Sequence, residues 1–555
     1  MAGFLSKERI TAHANYNRWL VPPAALAVHL SIGMAYGFSV FWKPLGNALV
    51  GEDGKPLAAC AAGATTFADK MSGTAKALFA TDCNWTQFDL GWMYTLFFVL
   101  LGCSAALWGG WLEREGPRKA GLASTFLWCG GLLISAYGIY VHQLWMMWLG
   151  AGVIGGIGLG LGYISPVSTL IKWFPDRRGM ATGMAIMGFG GGAMIGSPLA
   201  AKLMTYFATP TSVGVWQTFV VLACVYFVFM LGGSLGYRVP SVGWKPVGWI
   251  PPVAENNVMI ASRHVHLKNA HKTPQFWLLW IVLCMNVSAC IGVIGAAAPM
   301  LQETFGGALV GQVGVGFADI KKDEALTAAA AAVGAGFVGL ISLFNIFGRF
   351  AWATSSDKLG RKRTYYIFFI LGAMMYCAAT YVAGFKSLAL FVASFCVIAS
   401  MYGGGFATIP AYLADMFGTQ FVGAIHGRLL TAWSTAGILG PVVVNYMHDT
   451  RLEAGVPFDQ IYGPIFIALA GLMAVGFAAN FFVKPVADKY YMTDVELADV
   501  RKQAHEGSAS ATVKDIDAKS MSNASMVLFL VWALVLVPIS YGVWSTVQKA
   551  WTLFH

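Results

Sequence analysis

The sequence predicts an all-α polytopic membrane protein: two six-helix bundles in parallel pseudo-twofold repeat, followed by one extra C-terminal transmembrane helix. Three observations carry that expectation. Only 11% of the 555 residues are charged while 57% are hydrophobic, and the mean hydropathy is +0.63; a soluble domain carries about 25% charged residues. Apolar runs of about 20 residues, the length that crosses a bilayer core, recur along the whole chain. The third is an internal repeat. The string Gly109-Gly-Trp-Leu-Glu113-Arg114-Glu-Gly116-Pro-Arg118-Lys119 has a counterpart in Ser356-Asp357-Lys358-Leu-Gly360-Arg361-Lys362-Arg363, and Phe174 and Pro198 have theirs in Phe417 and Pro441. This composition excludes a soluble enzyme, a nucleic-acid binder, a disordered scaffold and a disulfide-built secreted domain.

Glycine, proline and charge punctuate the chain into spans near 20–42, 87–111, 120–140, 144–171, 180–206 and 215–236, which make an N-terminal bundle of residues 1–236. A polar loop at 237–273, containing Pro240, Pro246, Pro251 and Pro252, separates them from spans near 275–300, 328–353, 364–384, 388–414, 420–447 and 462–483. Those form a second bundle, 274–485. A mixed-charge tail at 486–522 leads to the thirteenth span, near 524–548 within 523–555. The first span is too long for a signal-peptide core and lacks a small-residue cleavage site after it. Lys and Arg concentrate on one set of connections: Lys7 to Arg18, Arg114 to Lys119, Lys172 to Arg178, the central loop, Lys358 to Arg363, and the tail. Cytoplasmic loops carry that excess, so the N-terminus is expected inside and, after an odd number of spans, the C-terminus in the periplasm. The net charge of +10 is therefore a topology signal rather than the mark of an acidic partner.

Acid, base, any residue, glycine and further bases, placed after the second and eighth spans, resemble the loop motif of the major facilitator superfamily. The residues are Gly109, Glu113, Arg114, Gly116 and Arg118, then Asp357, Lys358, Gly360 and Arg361. Acids there can sit against helix N-termini and bases against carboxylates or lipid phosphates. A narrower resemblance rests on Lys172-Trp-Phe-Pro-Asp-Arg-Arg-Gly179-Met-Ala-Thr-Gly183, on Gly188-Phe-Gly-Gly-Gly192, and on Tyr36-Gly-Phe-Ser-Val-Phe-Trp-Lys-Pro-Leu45. These resemble the oxalate/formate antiporter family, relatives of the monocarboxylate transporters, over roughly residues 15–485. The resemblance implies a major facilitator fold, alternating access, and a substrate-binding arginine in the eighth helix. It also implies that the thirteenth span is similar to a fused single-helix small subunit.

Arg349 is the cation left inside a span. Eight residues before Asp357, it sits about 12 Å up the helix from the cytoplasmic turn, near the bilayer midplane, where a charge costs about 2.5–3.5 kcal/mol. Its repeat counterpart is Ala105, so fold symmetry does not require it. A guanidinium matches a carboxylate with a planar fork. A structural ion pair is the rival reading, but no Asp or Glu lies well inside a span; Asp89, Glu303 and Asp415 are near ends. Asn345, one turn earlier on the same face, can add a hydrogen bond, or serve a helix–helix contact. Tyr36, Tyr163, Tyr402 and Phe406 each read singly as packing, and the resemblance implies that they wall a small anion cage.

One departure bears on the substrate. The oxalate-transporting pattern has a lysine in the eleventh helix after Thr-Ala, and this chain has Thr431-Ala432-Trp433-Ser434. With one intramembrane cation, the second charge of oxalate would lie uncompensated in low dielectric, so a monoanion fits better. His29 or His426 could add charge when protonated. His29, Lys43 and Asp89 are candidates for coupling, since Asn345 stands where kindred symporters have an acid. Glycines crowd the fourth and fifth spans, where small residues let helices approach and slide. Whether Cys60 and Cys83 of the long outer loop form a disulfide is open.

The expectation is a secondary active transporter of small carboxylate anions, monocarboxylates such as lactate, pyruvate or formate, in a bacterial inner membrane. Oxalate:formate antiport is the alternative, and a carboxylate-sensing receptor or channel the alternative of another class. No metal-site cluster or nucleophile–base pair is found, so no enzyme activity, cofactor or metal is expected. The expected partners are the carboxylate, a proton or counter-transported anion, and the lipid bilayer around a monomer, with no nucleic acid.

Overall fold

The computed structural model describes residues 7–13, 16–51, 55–60, 67–210, 212–241, 244–249, 259–384, 387–506 and 520–551. Among these described residues, thirteen helices are long and apolar enough to cross a membrane. The first half holds α1 (Arg18–Leu45), α2 (Gln87–Glu115), α3 (Pro117–Tyr140), α4 (Leu144–Trp173), α5 (Arg178–Phe207) and α6 (Val215–Gly236). The second holds α7 (Pro274–Val310), α8 (Ala325–Leu359), α9 (Arg361–Tyr381), α10 (Leu388–Phe417), α11 (Val422–Leu452) and α12 (Phe458–Phe482), and α13 (Met526–Gln548) follows. The expected spans agree with these to within a few residues at most ends. At α7 they differ: the helix runs well past residue 300. Glu303 is carried inside because His448 Nε2 lies 2.9 Å from its Oε2 and the Tyr462 hydroxyl donates to the same oxygen at 3.0 Å. A carboxylate with two partners no longer has to end a span.

The repeated loop motif has a backbone reason. Gly116, between α2 and α3, has φ 93°, and Gly360, between α8 and α9, has φ 85°, a region that β-carbons disfavour. Both tight turns set the following helix antiparallel at once, with Pro117 at the first position of α3.

The halves meet along two seams, α5 against α8 and α2 against α11. Small residues line both. Gly183 lies against the Arg349 carbonyl and Ala353, and Gly109 against Ala424, so the backbones come close enough to pack without large side chains between them. At the end of the bundles that carries the loop motifs, the N-terminal segment pairs with the start of the central loop (Ala12 N–H to the Val239 carbonyl, 2.8 Å). The loop then crosses the end of α10 through Ala261 N–H to the Asp415 carbonyl and Val265 N–H to the Phe417 carbonyl, 2.7 and 2.9 Å. Residues 250–258 of the expected loop and 507–519 of the expected tail lie outside the described residues.

In the loop between α1 and α2, Cys60 and Cys83 form a disulfide, which the sequence left open. Asn84 beside it holds the loop to Leu49 and Leu57 by three hydrogen bonds of 2.8–2.9 Å. The helix α13 packs on α5, α8 and α1. Trp532 Nε1–H donates to the Trp19 carbonyl at 3.1 Å, near the start of α1, and Lys202 Nζ donates to the Tyr541 hydroxyl at 3.1 Å, near the end of α5.

Candidate functional site

Arg349 of α8 is 1% exposed. Its Nε–H donates to Asn345 Oδ1 at 2.9 Å and its Nη1 to the Ile186 carbonyl of α5 at 3.2 Å. Neither partner is charged. Its Nη2 is buried without a hydrogen-bond partner. With its oxygen engaged, Asn345 presents its Nδ2 amide as a donor. The close approach of α8 and α10 that builds this corner needs Gly348 and Gly403, since a β-carbon on either would collide with the backbone carbonyl of Ser400 or Asn345 respectively.

Aromatic rings surround the guanidinium. Its carbon lies 5.9 Å from the Tyr36 ring centre and 5.6 Å from that of Phe406. The hydroxyls of Tyr36 and Tyr402 are 3.5 Å apart across the two halves. Trp433 of α11 packs edge-on to Phe406 at 4.6 Å and touches Tyr163 at 5.4 Å and Tyr36 at 6.2 Å. Every aromatic residue the sequence nominated is therefore in one cluster with Arg349. Two more belong to it: Phe189, edge-on to Tyr36 at 5.0 Å and Tyr163 at 5.2 Å, and Phe98, 5.4 Å from Trp433. Phe189 could have been suspected as the lone aromatic in the glycine run of α5; Phe98 carries no such signal.

The cluster is short of acceptors. Besides Arg349 Nη2, the indole N–H of Trp433 and the hydroxyl of Tyr163 are buried and unpartnered. Each unmatched buried donor costs about 1–3 kcal/mol, and native proteins keep few of them. One cation and two neutral donors, walled by electropositive ring edges, form a pocket chemistry suited to a small anion. The backbone is irregular here: residues Gly33–Phe41, which carry Tyr36, are a 3₁₀ helix, and α11 breaks at Leu430 between its Val422–Leu429 and Thr431–Glu453 segments. Long 3₁₀ runs are uncommon and often mark hinges.

Of the coupling candidates, His29 lies at the site. Its ring stacks on Tyr163 at 5.3 Å, with Nδ1 2.5 Å from the Ala185 carbonyl and Nε2 3.0 Å from that of Tyr163. Asp89 is instead at the start of α2, in a capping box with Thr86 (2.7 Å to its N–H and 2.7 Å to its hydroxyl) and bonded by the Thr74 hydroxyl. Lys43 is exposed near the outer end of α1.

The loop motifs form two latches at one end of the bundles. Glu113 accepts from the Gly423 N–H, the first turn of α11, at 3.0 Å, from Ser168 Oγ at 2.9 Å and from Lys172 Nζ at 2.5 Å. Asp357 accepts from the N–H groups of Gly179 and Met180, the first turn of α5, at 2.8 and 2.9 Å, and from Arg361 at 2.6 Å. Asp415 then joins Arg361 (3.0 Å) to Arg178 of the other half (2.8 Å). Each acid thus caps a helix of the opposite bundle, where the dipole favours negative charge. The bases serve differently from one another. Arg118 holds the Leu235 and Tyr237 carbonyls at 2.8 and 3.3 Å, whereas Arg114 and Lys358 are exposed.

Among the described residues, two helix bundles are closed at one end by mutual caps and hold Arg349 at the middle of their interface. The pattern of the Major Facilitator Superfamily matches residues 58–441 and, overlapping, 324–550; the chain belongs to that superfamily of transporters. Among relatives, the oxalate:formate antiporter of Oxalobacter formigenes is 23% identical over 412 residues, 74% of this chain and 86% of that one. Apicoplast pyruvate carrier 1 of Toxoplasma gondii is 24% identical over 393 residues, 61% of this chain and 66% of that one. The solved E. coli fucose:proton symporter FucP superposes with a TM-score of 0.53 at 12% identity, over 84% of this chain and 99% of that one, a likeness of fold.

Proposed function

We propose that this transporter moves small monocarboxylates, such as lactate, pyruvate or formate, by alternating access around Arg349. The observation that carries the reading is the buried Nη2 of Arg349, unpartnered beside the unpartnered Trp433 N–H and Tyr163 hydroxyl. One cation matches one carboxylate; Asn345 adds a donor, and Tyr36, Tyr402 and Phe406 exclude water from the bound anion. The oxalate:formate antiporter and pyruvate carrier among the relatives support a carboxylate cargo and leave oxalate as the second reading. Trp433 sets the two apart, because an indole contributes a hydrogen bond but no second positive charge. The membrane we assign is a bacterial inner membrane, with the latches and N-terminus in the cytoplasm and the end of α13 outside, as the Lys and Arg distribution implies.

Counterflow in proteoliposomes tests the reading. Labelled L-lactate, pyruvate or formate should exchange with unlabelled substrate, and Arg349→Ala, purified and folded, should lose at least about 100-fold of that exchange, the weight of a desolvated ion pair. Normal exchange by the mutant would overturn the role of Arg349. Preference for oxalate would overturn the monoanion argument, and binding without exchange would make the protein a sensor rather than a carrier.

A further inference from the structure

The helix α13 turns one face to the bundles. Trp532, Val535, Ile539, Gly542 and Thr546 follow one another at steps of three and four, so they share a side; Val535 and Gly542 are buried, whereas Leu534, Val537 and Trp544 on the other side are exposed. Direct contact between α5 and α8 runs from Gly179 and Gly183, against Ala353, to Gly190, against Ile346. Further along, toward the end opposite the latches, both helices have α13 as a neighbour. A β-carbon on Gly542 would lie 3.1 Å from the Met194 methyl and 3.2 Å from Ile195 Cγ1 of α5, and one on Gly339 of α8 would lie 3.2 Å from the Thr546 methyl. Carbon contacts are most favourable at about 3.5–4.0 Å, so α13 sits tightly against one helix of each half.

The chain leading to α13 is fixed as well, and to the second half. Gln275 Nε2, in the first turn of α7, donates to the Pro485 carbonyl at 3.0 Å, and the Tyr491 hydroxyl donates to the Met416 carbonyl at the end of α10 at 3.2 Å. Met492 N–H donates to the His264 carbonyl at 2.9 Å, and Arg263 pairs with Asp488. Residues 263–265 of the central loop are themselves tied to α10 by the Val265–Phe417 bond. From this anchor the chain goes on to α13, whose Trp532 and Tyr541 are bonded to Trp19 and Lys202 of the first half.

We infer that residues 485–492 and α13, two parts of one C-terminal segment, act as a strap that favours the conformation with closed latches. The first part grips the second half, and α13 grips the first half by hydrogen bonds while its Gly542–Thr546 face touches both. Rocking of α5 against α8 must therefore slide or break contacts that are complete in the latched state. An element that interacts better with one of two conformations shifts their populations by that difference. The strap acts on the seam itself and is indifferent to which anion Arg349 holds.

The test follows a reporter at Met180, which is buried in the first turn of α5, where its N–H caps Asp357. In the purified full chain carrying Met180→Cys, a water-soluble maleimide should modify position 180 slowly, as read by peptide mass. Adding Gly542→Phe should force α13 off the seam and raise that rate at least about fivefold, the effect of losing about one net hydrogen bond between the halves. A chain ending at Glu506, which lacks α13, should show a rise at least as large. Unchanged or slower modification in either folded variant overturns the strap. If neither variant folds, a disulfide between Gly339→Cys and Thr546→Cys in the full chain decides. Once oxidised it should slow modification of position 180 at least about fivefold relative to the same chain before oxidation, and no slowing overturns the proposal. Modification needs no cargo, so the outcome is separate from that of the carboxylate reading.

Discussion

The two latches repeat one geometry but differ in their partners. Glu113 and Asp357 stand one repeat apart, and so do the glycines they cap, Gly423 and Gly179. In the α2–α11 latch the Gly423 N–H caps Glu113 across the halves, while Ser168 and Lys172, which also bond it, belong to the same bundle as Glu113. The α5–α8 latch crosses with two N–H caps on Asp357 and with the Arg178–Asp415 ion pair. The repeat supplies the capping geometry twice, and the Arg178–Asp415 pair reinforces one copy across the halves. The latched end should therefore open like a door, the α2–α11 side giving way first and the α5–α8 side acting as hinge.

That asymmetry can be broken in steps. Asp415→Asn has the largest expected effect, about 3 kcal/mol against the closed end, because one largely buried carboxylate joins two arginines. Labelling of a seam cysteine from the cytoplasmic side should rise accordingly. Asp357→Asn should cost about 2 kcal/mol, having removed the charge from two caps, and Glu113→Gln about 1 kcal/mol, having weakened one. Equal labelling in those two variants, or more in the second, would refute the hinge. The smallest effect is expected from Gly360→Ala, about 1 kcal/mol or less in thermal stability, since the space around a β-carbon there is open and only the positive φ is strained.

The spans, the repeat and Arg349 could be read from the sequence because hydropathy, motif spacing and a midplane charge are local signals, whereas Tyr36, Tyr163, Tyr402 and Phe406 stood out only through the family resemblance. What escaped depends on contacts between distant segments. The caps were missed because Gly179 and Gly423 look like two among many glycines, although their repeat spacing equals that of the acids. Asp415 looked like a span-end residue until α9 and α5 brought arginines to it. Glu303 seemed to terminate α7 because its partners, His448 and Tyr462, come from α11 and α12.

The thirteenth helix lies against α5, α1 and α8, with Gly542 close to Met194 and Ile195, and Thr546 beside Gly339. Among the described residues, its hydrogen bonds to Trp19 and Lys202 are both with the first half. A separate peptide would need much tighter contacts to stay in that groove. Covalent attachment presents the helix at an effective concentration on the order of millimolar, so weak docking suffices. The carrier thus brings its own annular neighbour where a lipid would otherwise lie, one that travels with the first half and bears on the second.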